Sequence, residues 1–197
     1  MMMPRYRMLC LLLAVAGCAS SPEARFYTLS SSSATSTPSA AAAGPARYSV
    51  AVGPVSVPET VDRPQLVIRR GDHRIEIAEL HRWAQPLRLE LVDALTATLE
   101  RRLPQARIAR YNVQAVRDPD CRVQMDIERF DAVLDVAVTV QGWWTVRCNA
   151  QPPRTARFTE QARAQGGFDA VASAYAMTMS AVAEQIAGAV AALQAGK

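Results

Sequence analysis

The sequence predicts an α+β fold, a mostly antiparallel sheet with two packed helices, forming a single domain behind a signal peptide and a flexible tether. Three observations carry that prediction. Leu87, Leu91, Leu95, Leu99 and Leu103 recur every four residues, the spacing of one helix face. A second stripe, Val171, Tyr175, Met179, Val182, Ile186, Val190 and Leu193, steps by three or four. Between these helices, residues 122–130 and 136–147 alternate apolar with polar, the period of a half-buried strand.

The chain opens with Arg5 and Arg7, an apolar run over residues 8–16, then Val15-Ala16-Gly17-Cys18-Ala19. A basic start, a short apolar stretch and small residues before a cut form a secretory signal. The apolar run is about half of the roughly 20 residues that a spanning helix needs, so residues 1–17 are expected to be removed. The Val-Ala-Gly-Cys end resembles the lipobox cut by lipoprotein signal peptidase, which makes Cys18 the lipidated first residue. One acyl chain binds a bilayer marginally, while two or more hold it stably, and a processed Cys18 would carry three. Ala19 is not the aspartate that retains enterobacterial lipoproteins at the inner membrane, which favours the outer membrane, periplasmic side.

Residues 18–46 are expected to form a lipid-anchored tether and residues 47–195 the folded domain. The tract from Ser30 to Gly44 is rich in Ser, Ala, Thr and Pro, a composition that buries little apolar surface. Phe26-Tyr27-Thr28-Leu29 interrupts it, either as a strand that docks on the domain or as part of the leash. Tyr48 to Pro58 alternates Val50, Val52, Val55 and Val57 around Gly53-Pro54, a strand with a bend. Gln65 to Arg70 and Arg74 to Ala78 flank Gly71-Asp72-His73, a hairpin with turn residues in place. Pro86 suits the first turn of the leucine-striped helix, because its missing N–H would be unpaired there anyway. Pro104 ends that helix, strands are expected near residues 106–113 and 154–164, and Gly166-Gly167 precedes the last helix.

Pairing the central hairpin so that Val123 faces Val146, Met125 faces Trp144 and Ile127 faces Gly142 puts these residues on one face. Arg122, Gln124, Asp126, Glu128, Trp143, Thr145 and Arg147 fall on the other. The same register sets Cys121 opposite Cys148, and a one-residue slip would separate the cysteines. In an oxidising compartment such a pair is expected to bridge, with two buried free thiols as the alternative.

The formal net charge is +4, and losing Arg5 and Arg7 with the signal halves it, so no nucleic-acid partner is expected. No C-x-x-C spacing occurs, and His73 and His81 have no recognisable catalytic partners nearby in sequence. Neither metal nor cofactor is expected, no Walker loop is present, and the chain reads as non-enzymatic. Asp62-Arg63-Pro64-Gln65 reads either as a partner-binding loop, with a guanidinium fork on a proline-fixed backbone, or as a turn whose Arg63 pairs an acid such as Glu79. Trp83 is either an interface anchor or, more commonly for such a residue, a core side chain at the helix entry. Trp143, on the polar face, is the better candidate for exposed contact.

Val52-Gly53-Pro54, then Asp62-Arg63-Pro64-Gln65-Leu66-Val67, then Glu79 with Arg82-Trp83-Ala84-Gln85-Pro86-Leu87, resemble the motifs of the PqiC (YmbA) family of ABC-type transport auxiliary lipoproteins. Phe26-Tyr27-Thr28-Leu29 matches its Tyr-Tyr-x-Leu segment, and Phe130 with Trp144 fits its hairpin. Gln85 departs, replacing an acid with its amide. The resemblance implies a non-enzymatic accessory of intermembrane lipid transport that supports envelope integrity. Its implied partners are an MCE-domain protein bridging the periplasm and, through it, an inner-membrane permease. A homo-oligomer is left open. The alternative is an assembly lipoprotein, pilotin-like, serving another outer-membrane complex.

Overall fold

The computed structural model describes residues 22–30, 46–111, 118–149 and 151–196. Cys18, the signal and most of the expected tether lie outside them. Among the described residues, eight strands and two helices follow in the order β1 (Arg25–Tyr27), β2 (Tyr48–Ser56), β3 (Gln65–Arg69), β4 (Ile75–Trp83), α1 (Leu87–Arg102), β5 (Ala106–Arg110), β6 (Cys121–Val133), β7 (Ala137–Cys148), β8 (Arg154–Arg163) and α2 (Gly167–Ala195).

The α+β class holds, but the strands divide into two sheets, β1-β4-β3 and β5-β2-β6-β7-β8. The hairpins β3/β4, β6/β7 and β7/β8 are antiparallel, while β1/β4, β2/β5 and β2/β6 are parallel. The parallel pairs arise because β2 inserts between two strands far from it in sequence. The bend foreseen at Gly53-Pro54 is a bulge against β6, with Gly53 at φ 112° and a cis peptide before Pro54.

The leucine stripe, Leu87, Leu91, Leu95 and Leu99 in α1 and Leu103 at its end, is buried, and so is the α2 stripe from Val171 to Val190. The two helices pack on each other, with α1 over β2 and β5 and α2 over β7 and β8. Helix α2 is long and apolar enough to cross a membrane, yet its stripe is sealed against the sheet. The turn between β6 and β7 caps it: Asp135 accepts hydrogen bonds from the Gly166 and Gly167 amides at 3.2 and 2.8 Å. Those two donors hold the exposed Asp135 carboxyl below its usual range.

In the central hairpin, Cys121 pairs with Cys148, Val123 with Val146, Met125 with Trp144 and Ile127 with Gly142. Beyond Ile127 the simple alternation breaks. A bulge places Arg129 opposite Gln141, leaving both Glu128 and Arg129 exposed and returning Phe130 to the core. Gly142 makes the bulge feasible, since a Cβ there would lie 2.2 Å from the Asp126 carbonyl oxygen.

Candidate functional site

Two segments singled out in the sequence meet where the small sheet runs into α1. Pro58 caps the first, its carbonyl accepting the Val61 and Asp62 amides at 3.0 and 3.2 Å. The chain then passes Arg63 and presents the Pro64 carbonyl to the Trp83 N–H at 2.7 Å. One residue on, the Ala84 N–H donates to the Tyr27 carbonyl at 2.7 Å. The end of β4 is thus held from both sides, by the Asp62–Gln65 loop and by β1. Pro86 starts α1 at this point, its carbonyl accepting the Leu89 and Glu90 amides at 2.8 and 3.2 Å.

Between loop and helix entry lies an open pocket of about 320 Å³, walled by Pro64, Trp83, Pro86 and Leu87 and rimmed by Asp62, Arg63 and Gln85. Asp62 is held by Arg88 of α1 at 2.6 Å. The expected pairing of Arg63 with Glu79 does not form. Glu79 instead accepts from Gln65 Nε2 at 3.0 Å and lies 3.9 Å from Arg82, because Gln65 and Arg82 are opposite each other in the β3/β4 register. Arg63 Nε is buried without a hydrogen-bond partner, while the residue itself lines the pocket rim. Gln85 donates to Asp93 at 2.7 Å, and Asp93 also pairs with Arg110. A carboxylate at position 85 would face Asp93 directly, which accounts for the amide at this position.

Trp83 is only 5% exposed, so of its two readings the packing one applies. Its ring lies 6.5 Å from Phe130 and 6.1 Å from Tyr175, and those two stack at 3.9 Å. This aromatic cluster joins the small sheet, the large sheet and α2 behind the pocket. Burial raises the Tyr175 hydroxyl well above its usual value, and Asp131 adds to the effect. Asp131 is itself gripped by Arg69 of β3 through two 3.0 Å contacts and by Arg129 at 2.7 Å. Partial burial opposes ionisation there, but the two guanidinium groups outweigh it and lower the Asp131 value.

Arg63, Gln65 and Trp83 are therefore brought together, and Trp143 is not among them. It stands 40% exposed on the open face of the large sheet, where its indole N–H donates to Glu128 at 3.0 Å and the Arg157 guanidinium lies 5.8 Å from the ring. Cys121 and Cys148 sit at the far end of the hairpin, their sulfurs 2.01 Å apart.

Of the two readings of the Phe26–Leu29 segment, the docking strand applies, and the residues that hold it were not singled out by the sequence. In β1, Arg25, Phe26 and Tyr27 pair with His81, Arg82 and Trp83, and Thr28 and Leu29 follow directly behind the strand. Glu90, 1% exposed in the leucine stripe of α1, accepts the Leu29 N–H and the Thr28 hydroxyl, each at 2.9 Å. The Tyr27 hydroxyl lies 2.7 Å from His81 Nδ1, and the His81 ring stacks on Phe168 at 3.6 Å. Burial lowers the His81 value, Arg25 lowers it further and Asp169 opposes. The signal for Glu90 was its spacing: three residues after Leu87 and four before Ala94, it falls inside the buried stripe rather than beside it.

Among the described residues no group of three His, Cys, Asp or Glu is placed to hold a metal ion. The pocket has apolar walls and a charged rim, which suits recognition of a protruding partner side chain or an apolar group with a polar end.

Comparison with solved structures finds a crystal structure of an uncharacterized protein at 21% identity and TM-score 0.69, covering 86% of this chain and 99% of that one. Protein XCC0632 from Xanthomonas campestris, of family DUF330, is similar at 20% identity and TM-score 0.60, over 73% of this chain and 83% of that one. At such identities these likenesses show the fold alone. No curated protein matches the chain. The family of ABC-type transport auxiliary lipoprotein components matches residues 27–187, a span that begins at the last residue of β1 and takes in both motif segments, the aromatic cluster and most of α2. The chain belongs to the ABC-type transport auxiliary lipoprotein component family.

Proposed function

We propose that this protein is an outer-membrane lipoprotein, acylated at Cys18 and facing the periplasm, that serves as the non-enzymatic docking component of an MCE-type intermembrane lipid-transport system. The observation that carries the reading is the convergence of the Asp62–Gln65 loop with the Trp83–Leu87 helix entry around one open pocket, in a chain of a transport-auxiliary family. A rim tied down by the Pro64–Trp83 and Asp62–Arg88 contacts and carrying the Arg63 side chain is preorganised, and preorganisation favours affinity by lowering the ordering cost of binding. The partners in this reading are an MCE-domain protein that crosses the periplasm and, through it, an inner-membrane permease. Residues 1–17 are the signal, and palmitate is one of the acyl groups on Cys18.

Chemical crosslinking in intact membranes, followed by capture of the tagged chain, tests this. Recovery of an MCE-domain protein is the expected result. Recovery of a secretin without any MCE-domain protein would move the assignment to an assembly lipoprotein. Mass spectrometry of the mature chain checks the anchor independently, by the triacyl mass on Cys18.

A further inference from the structure

The docking of β1 changes what the N-terminal segment does mechanically. A free tether over residues 18–46 would give a reach of roughly 100 Å, but β1 begins seven residues after Cys18, so the fixed part of the domain lies within ~25 Å of the anchor. That limit is enforced by the β1/β4 ladder, the Glu90 clamp and the Tyr27–His81 contact. The domain is therefore held close to the bilayer by one edge.

At that edge, a groove of about 580 Å³ runs between α1 and α2. Its floor is made of small side chains, among them Ala94, Ala97, Ala172 and Ala176. Two large apolar side chains line it and stand out into solvent, Phe26 at 65% exposure and Met177 at 56%. Arg101 and Asp169 also line the groove, and Arg25 precedes Phe26.

We propose that this groove docks on the phospholipid surface that holds the Cys18 anchor, with Phe26 and Met177 in the acyl-chain boundary. The inference rests on the lipidation of Cys18. Two apolar side chains bind a bilayer weakly, but a leash of seven residues keeps them at high effective concentration beside it, so a weak contact is enough to orient the domain. Arg25 and Arg101 favour anionic headgroups. Docked in this way, the helices face the membrane, and the open face of the large sheet, with Trp143, is turned towards the periplasm.

The test uses the full chain, matured in a bacterial host and reconstituted in vesicles of phosphatidylethanolamine and phosphatidylglycerol containing doxyl-labelled lipid. The wild type has Trp143 exposed on the opposite face and Trp83 and Trp144 buried, so its emission is expected to be unchanged by the label. Met177→Trp adds a reporter at one lip and Phe26→Trp a second at the other, in case either variant folds poorly. The expected result is loss of most of the added emission in both. Lipidated chain that sediments with vesicles while the added tryptophans stay unquenched overturns the docking and leaves the lipidation reading standing. Unquenched tryptophans together with concentration-dependent self-association would show a second copy in the groove, which also overturns it. Chain that has no acyl mass and does not sediment overturns both readings.

Discussion

Glu90 on α1 and Leu29 behind β1 are joined by a 2.9 Å hydrogen bond from the Leu29 N–H to a buried carboxylate oxygen that also takes the Thr28 hydroxyl. Removing the carboxylate would leave the Leu29 N–H buried and unsatisfied, which costs about 1–3 kcal/mol. Glu90→Ala is therefore expected to lose about that much stability in urea unfolding, and its Leu29 amide to exchange faster with solvent. Glu90→Gln keeps one acceptor oxygen and is expected to lose less. Wild-type stability in Glu90→Ala would show that the clamp contributes nothing.

Acid is expected to loosen the same strand. Burial beside Tyr27 and Phe168, helped by Arg25 and opposed by Asp169, lowers the folded-state value of His81. The unfolded chain protonates this imidazole near pH 6.5, so below that value it binds more protons than the folded state. The stability contribution is thus full above the unfolded value and is lost as pH falls through the folded one. The hydrogen-exchange protection of residues 25–29, taken relative to the intrinsic rate at each pH, should be lower at about pH 5.5 than at about pH 7.5, the range in which histidine changes charge. His81→Phe, which keeps the stacking surface and cannot titrate, should flatten this dependence; an unchanged pH profile in that variant would assign the effect elsewhere.

Cys121 and Cys148 close a loop with a sequence separation of 27 residues. A bridge there is expected to be worth about 2–4 kcal/mol, mainly by restricting the unfolded chain. The double variant Cys121→Ser with Cys148→Ser should show that loss by denaturant unfolding. Alkylation of the wild type under denaturing, non-reducing conditions should add no mass at either cysteine, and two modified thiols would refute the bridge.

Gly142 faces the hairpin bulge so closely that any Cβ must displace main chain, since its nearest neighbour is the Asp126 carbonyl oxygen at 2.2 Å. Gly142→Ala should cost about 1–3 kcal/mol, the usual range for forced overpacking. Gly188→Ala is the control, because a Cβ there has nothing within 4 Å. Equal melting temperatures for the two variants would contradict the close approach.

Partner capture should separate the two contact surfaces. Arg63→Ala removes the guanidinium side chain from the pocket rim, and Trp143→Ala removes an aromatic side chain from the open sheet face. Neither is expected to lower the unfolding midpoint appreciably. If the pocket is the docking site, Arg63→Ala should reduce affinity for the crosslinked partner about tenfold or more, as loss of an interface hot spot does. Retained capture in both variants would place the contact on neither surface.

Much of this arrangement was legible in the sequence because it depends on local periodicity. The leucine stripe, the α2 stripe, the first half of the central hairpin and the exposure of Trp143 all follow from which side chains share a face at a fixed period. The register that sets Cys121 beside Cys148 is of this kind, since one buried face fixes the pairing. Strict alternation continued past Glu128 would put Phe130 on the polar face, whereas the bulge at Glu128 and Arg129 adds a residue that no period announces and turns it into the core. The Arg63–Glu79 pair failed for a related reason. Neighbouring charges in a sequence do not reveal which donor the strand register will place against Glu79.

By itself, then, the sequence determined which segments become strands and helices and which of their faces are apolar, because those properties are set within a few residues by backbone geometry and side-chain hydrophobicity. Only the tertiary structure decided what covers each face. It placed β2 between β5 and β6, split the strands into two sheets, drew the Asp62–Gln65 loop against Trp83, and gave the Glu90 carboxylate to the Leu29 amide 61 residues earlier. Such choices rest on long-range contacts, where the buried groups of one segment must be satisfied by whichever distant segment the packing brings to them.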